Sequence, residues 1–313
     1  MLTRMLTILL GMAAIILAGT FWRQITGMEA ATTLRAHLVR AVYEIFLPAL
    51  VLRVMWQSPV DLNMVRVPLL AWLGVFAALG LAALIYRGGR WFAGEERERR
   101  AMAGALLLAA SFGNITYLGL PVLTQTYGAW AASVAIQYDL FACTPLLFTV
   151  GLLLASRFGS GAALHPLHEL LRVPALYGAV AGVLLSLLAI PMPGWLLNTL
   201  TLLGSAVVPL MLLSIGMALR WQAGWLARLP LLLPAVAIKL ALAPLLVWGG
   251  AVLIAMPANL LAPTVLEAAM PTMVLGLVLC DRFRLDTALY AEAVTVSTAL
   301  ALFTLPFWHR LAG

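Results

Sequence analysis

The chain has 313 residues, of which 64% are hydrophobic and 10% charged, with a formal net charge of +7. A soluble domain carries about 25% charged and 45–50% apolar residues, so this composition excludes a soluble enzyme, a disordered chain and a disulfide scaffold. It indicates an all-α polytopic membrane protein, and the basic surplus sits in short loops between apolar runs, where a membrane explains it better than nucleic acid does.

A helix needs about 20 apolar residues to cross the hydrocarbon core. Ten such segments are predicted, at 5–22, 37–56, 67–86, 101–122, 130–155, 173–191, 195–218, 230–255, 263–280 and 286–308. The first reads as a membrane helix rather than a cleaved signal, because no small-x-small site follows it. In the second, Glu44 lies four residues after Arg40, a spacing that predicts an interfacial ion pair, and Arg53 is expected to snorkel near the outer end. The loop 87–100 carries the run EERERR, a solvated face. In the sixth, Gly178 and Gly182 form a small-residue face, open to a homodimer or to packing within the chain. Glu292 in the tenth is expected at an interface.

Loop charge sets the orientation. With the N-terminus outside, the cytoplasmic side holds Arg23, Arg35, Arg40, Arg87, Arg90, Arg97, Arg99, Arg100, Arg157, Arg172, Arg220, Arg228, Arg282 and Arg284, against Arg4, Arg66 and Arg310 outside. That is a strong positive-inside bias. The expected location is the bacterial inner membrane.

An internal repeat is visible. Arg66-Val67-Pro68-Leu69-Leu70 returns as Arg228-Leu229-Pro230-Leu231-Leu232, Pro48 pairs with Pro209, and Pro145 with Pro306, all at nearly one offset. The expected units are a first repeat over 1–156, a cytoplasmic linker over 157–172 and a second repeat over 173–313. A repeat of five segments must insert inverted, because five is odd, and inverted repeats mark secondary transporters with a site near the midplane.

Two segments should be broken. The fourth reads SFGNITYLGLP over 111–121: Gly113, Asn114 and Gly119 disfavour helix, and Pro121 cannot bond the carbonyl of Tyr117. The ninth contains Glu267-Ala268-Ala269-Met270-Pro271-Thr272, in which Pro271 likewise frees the carbonyl of Glu267. Breaks are tolerated in a membrane only when buried in protein or lining a cavity. Asn114 and Thr272 are expected N-caps of the half-helices that follow. Two electropositive helix ends meeting at mid-depth would make an anion site. Packing kinks alone are the alternative. Tyr117, three residues past Asn114, either joins that cavity or fills the core.

These motifs, with FLPAL in segment two, VVPLMLLSIGMAL in segment seven and KLALAP in segment eight, resemble the auxin efflux carrier family of membrane transporters over nearly the whole chain. The resemblance implies ten helices in a five-plus-five inverted repeat. Segments four and nine would cross at their breaks, against a scaffold of segments one, two, six and seven. It places Asn114 at the family's crossover Asn and Pro271 at its crossover Pro. It also implies a small carboxylate substrate, such as malate or malonate in bacterial members. Gly113 stands where plant carriers have Pro, Leu275 where many bacterial members have Asn, and the long plant cytoplasmic loop is absent.

Three ionisable residues fall within segments: Asp139, Lys239 and Glu267. Asp139 and Lys239 form a structural ion pair, or Asp139 carries a proton and Lys239 partners a substrate carboxylate. Glu267, one turn before Pro271, is a coupling group or faces outer water. Cys143 and Cys280 give no disulfide framework and no metal spacing. No P-loop, HExxH or GxSxG occurs, so neither an enzyme nor a cofactor or metal is expected. The predicted function is a secondary transporter of a small organic anion working by alternating access, in contact with membrane lipid. An anion channel, a ligand sensor and a sodium-coupled carrier like the bile-acid symporters are the rivals.

Overall fold

The computed structural model describes residues 2–87, 91–92, 94–160, 165–219 and 225–313. Of the loop arginines above, Arg90 and Arg220 lie outside them, as does the side chain of Arg4. Among the described residues every regular element is a helix. Six helices among the described residues are long and apolar enough to span a membrane: Thr7–Thr26, Asn63–Tyr86, Ala129–Phe158, Gly194–Ala218, Trp225–Leu253 and Thr287–Ala312. Pro174–Leu187 is apolar but shorter.

Local chemistry sets many boundaries. Gly27, at φ 84°, separates the first helix from Met28–Ala41, and Gly128, at φ 102°, ends Leu120–Tyr127. Asp286 caps Thr287–Ala312 by accepting from the Leu289 N–H at 2.8 Å. Prolines shape the interiors. Wide π-type turns at Val42–Phe46, Ile115–Gly119, Asp139–Cys143 and Ile238–Leu242 each end two residues before a proline: Pro48, Pro121, Pro145 and Pro244. A proline cannot donate to the carbonyl four residues back and its ring crowds that carbonyl; widening the preceding turn relieves the clash. Two of the freed carbonyls find tertiary donors. The Trp72 indole donates to the Phe141 carbonyl at 3.4 Å, and the Trp308 indole donates to the Leu240 carbonyl at 2.7 Å. Neighbouring helices thus re-satisfy the backbone where no water can.

The helices pack in two groups. In one, Thr7–Thr26 lies against Val207–Ala218, and Leu47–Gln57 lies against Pro174–Leu187 and Gly194–Ser205. The contacts are close because glycine allows them: a Cβ on Gly216 would sit 1.9 Å from the Ile16 carbonyl oxygen. Gly178 and Gly182 face Pro48, Leu52 and Met55, so this small-residue face is occupied within the chain. The other group contains Asn63–Tyr86, Glu96–Ser111, Ala243–Leu253 and Thr287–Ala312. Its interior holds both expected breaks, and residues 103–116 and 262–272 are buried without interruption.

Segment two begins earlier than expected, as Met28–Ala41 continues through the wide turn into Leu47–Gln57. Arg40 and Glu44 pair at 2.8 Å, as the spacing predicts. Glu292 is buried and contacts Arg228 at 3.5 Å, while Arg228 also binds Asp286 at 2.6 Å.

Candidate functional site

The first break follows Glu96–Ser111. Phe112 is extended, Gly113 and Asn114 are non-helical, and the helix restarts at Ile115. The second follows Ala258–Ala268, and the chain turns through Ala269–Leu275 before Gly276–Arg282 begins. The two gaps lie side by side. The Asn114 N–H donates to the Pro271 carbonyl at 2.7 Å, and the Met273 N–H donates to the Phe112 carbonyl at 3.0 Å. Gly113 and Thr272 are paired as in a single antiparallel bridge. Backbone that loses its helical partners finds them in the other gap, which is the accounting a dry interior demands.

Surrounding side chains complete it. The Thr272 N–H donates to Ser297 Oγ at 3.1 Å, and Thr272 Oγ1 donates to the Ala109 carbonyl at 2.9 Å. Tyr290 donates to the Met273 carbonyl and Lys239 Nζ to the Ala268 carbonyl, each at 2.9 Å. Lys239 also explains the absence of a side chain at Gly113, since a Cβ there would lie 2.9 Å from Lys239 Cε.

A cavity of about 50 Å³ opens beside the first gap. Gly113, Asn114, Thr116, Tyr117, Asp139 and Thr144 line it, facing Tyr43, Leu47, Val173 and Ala175 of the other helix group. It therefore lies at the boundary between the two groups. Asn114 is 3% exposed, and its Nδ2 has no hydrogen-bond partner. The helix that restarts at Ile115 continues to Tyr127, and its first N–H groups have no partner inside it. Asp139 accepts from Thr144 Oγ1 at 2.9 Å and from Thr116 Oγ1.

The expected residues divide accordingly. Gly113, Asn114, Tyr117 and Asp139 line the cavity; Pro271 and Thr272 adjoin it through the paired backbone, while Met273 and Leu275 reach the wall. Thr272 is not an N-cap, because the second half-helix restarts four residues later, at Gly276, with Leu275 at its cap. Asn114 holds the cap position, but its side chain makes no capping bond. Asp139 and Lys239 do not form an ion pair: one is held by threonine hydroxyls and the other by a carbonyl. Glu267 does not face outer water. It is fully buried, neither carboxylate oxygen has a hydrogen-bond partner, and a Cβ on Gly119 would meet Oε2 at 2.1 Å. Pro121 sits in the helix that follows the wide turn, in the buried core. Sequence reasoning missed Tyr43, Thr116, Thr144 and Ser297. Only Thr116 carried a signal, being two residues from Asn114 in the same motif.

Residues 163–309 match a family described as membrane transport protein. The chain is 28% identical over 291 residues to an uncharacterized transporter of Methanothermobacter thermautotrophicus, covering 91% of this chain and 90% of that one. It is also 28% identical over 218 residues to an uncharacterized transporter of Methanocaldococcus jannaschii, covering 66% of this chain and 67% of that one. These matches make the second half of the chain similar to the membrane transport protein family, and the chain as a whole similar to uncharacterized archaeal transporters.

Proposed function

We propose that this protein is a secondary transporter of a small organic anion, a carboxylate, working by alternating access. The reading comprises ten spans in a five-plus-five inverted repeat, with segments four and nine crossing at their breaks. The N-terminus faces outward and the arginine-rich end faces the bacterial cytoplasm. The observation that carries it is Asn114: a buried amide with an unpartnered Nδ2, on a cavity at the boundary between two helix groups, beside the opening N–H groups of a half-helix.

The cavity has space for a few water molecules, since one needs about 10–15 Å³. An organic anion needs more, so this is a closed form, and relative movement of the helix groups widens it toward one side or the other. Asp139 then has a definite task. Two like charges about 4 Å apart repel by roughly 4 kcal/mol at an effective dielectric near 20, so an anion beside Asp139 requires that Asp139 carry a proton. Proton and anion move together, and the Thr116 and Thr144 hydroxyls hold the carboxylate once the proton has left.

The test is a panel of mono- and dicarboxylates in proteoliposomes, with pH gradient and membrane potential set independently. Saturable carboxylate uptake that rises when the entry side is acidified is expected. Transport of none of the panel, or of neutral or cationic solutes instead, overturns the reading. Conductance far above carrier rates would favour the channel.

A further inference from the structure

We propose that a second cavity, lined by Arg97, Arg100 and Arg284, binds the phosphate group of an anionic ligand and bridges the ends of the two broken segments that lie away from their gaps. It has a volume of about 420 Å³, and its other charged wall residue is Glu96. Three guanidinium groups against one carboxylate leave a net positive site. Arginine forks match phosphate oxygens in pairs.

The guanidinium groups are positioned rather than merely scattered on a rim. Arg100 donates to the Arg157 carbonyl at 2.5 Å, and Arg97 donates to Ser160 Oγ at 3.4 Å. Each carries five N–H donors, so neither contact exhausts it. Arg284 stands at φ 54°, in the left-handed region, just past the end of Gly276–Arg282. Helices commonly place glycine at this position because a side chain is strained there. The strain is kept, and what it keeps is a third cation on the cavity wall.

The location gives the site a consequence. Residues 96–101 open the helix that leads to the Phe112–Asn114 gap, and Arg284 follows the short helix that leads away from Pro271. The two ends already touch, the Asp286 N–H donating to the Ala101 carbonyl at 3.4 Å, and the chain just past Leu152–Phe158 joins them there, the Ser160 N–H donating to the Phe283 carbonyl at 2.8 Å. Gly159 has no room for a side chain, since a Cβ would lie 2.1 Å from the Phe283 carbonyl oxygen. A phosphate held by Arg97, Arg100 and Arg284 adds a charge-assisted clasp to this junction. It therefore stabilises the paired gaps from a distance. A lipid headgroup and a soluble phosphate compound share this chemistry.

The test uses the full chain in phosphatidylcholine nanodiscs, with and without phosphatidylglycerol, and separately with inorganic phosphate or pyrophosphate, at fixed ionic strength. Thermal unfolding and native mass spectrometry are the readouts. A saturable rise in Tm is expected for the wild type. It should be lost in the triple variant R97Q/R100Q/R284Q and kept in Arg172→Gln, a control arginine elsewhere on the exposed surface. Saturation by phosphatidylglycerol assigns the phosphate to a lipid, and saturation by phosphate or pyrophosphate assigns it to a soluble ligand; either supports the site. Should the triple variant not fold, Arg284→Gly supplies the answer. Glycine suits the left-handed backbone, so this variant should match or exceed the wild-type Tm without ligand and lose most of the ligand-induced rise. No rise with any ligand, a rise that both Arg284→Gly and the triple variant retain, or an equal loss in Arg172→Gln overturns the proposal.

Discussion

The main-chain N–H of Asn114 donates to the carbonyl of Pro271 at 2.7 Å, so two breaks far apart in the chain are closed by each other. Because the backbone is satisfied in this way, the amide side chain of Asn114 is left over, with its Nδ2 unpartnered on the cavity. If Asn114 holds the carboxylate as proposed, replacing it removes that contact without unpairing the main chain. A hydrogen bond to a charged group contributes about 1.5–3 kcal/mol, which is roughly a ten- to hundredfold loss of rate. Asn114→Ala should lose that much carboxylate uptake in proteoliposomes while surface expression and Tm persist. Uptake at the wild-type rate would remove Asn114 from the site.

Asp139 is held by Thr116 and Thr144 at the same cavity. Asp139→Asn preserves size and hydrogen bonding but cannot carry a proton. Uptake by the wild type should accelerate as the entry side is acidified. In the variant that acceleration should vanish, while exchange of labelled for unlabelled carboxylate continues. An unchanged pH response would assign the proton elsewhere.

Gly119 is where the Glu267 carboxylate has room to sit, a Cβ there meeting Oε2 at 2.1 Å. Gly119→Ala should cost about 1–3 kcal/mol through overpacking, seen as a lower Tm in detergent. Adding Glu267→Ala removes the clash and the buried, unpartnered oxygens together, so the double variant should be more stable than Gly119→Ala alone. Equal Tm values for the two would show that this contact is not the source of the cost.

The Trp308 indole supplies the donor that Pro244 cannot give to the Leu240 carbonyl. Trp308→Phe should cost about 1–3 kcal/mol for the unpaired carbonyl. In a Pro244→Ala background the new N–H can reach Leu240, so the same change should cost less. Unfolding midpoints of the four proteins give the coupling; strictly additive effects would refute the exchange of donors.

Several features of the site needed only local chemistry to be read. Gly113-Asn114 and Pro271 disfavour helix wherever they stand, and both positions are broken here. The Arg40–Glu44 pair follows from helical spacing alone. Expectations that needed a partner fared differently. Thr272 looked like a cap, yet its hydroxyl turns to Ala109 because the helix restarts beyond it. Of the two readings of Asp139 and Lys239, the mutual ion pair fails, because hydroxyl and carbonyl groups claim them first. Glu292 is buried against Arg228, a partner from a distant segment that no local spacing announces.

Composition and apolar run length, by themselves, determined that this chain is an all-helical membrane protein, and residue propensity determined where two of its helices stop. Which gap faces which, and which side chains ring the resulting cavity, was decided only in three dimensions. Tyr43 and Thr144 on the cavity, and Ser297 against the Thr272 N–H, come from distant segments and have no local signal. The reason is that a broken helix leaves hydrogen-bonding groups whose cost is fixed by sequence, while the partners that relieve it are chosen by packing.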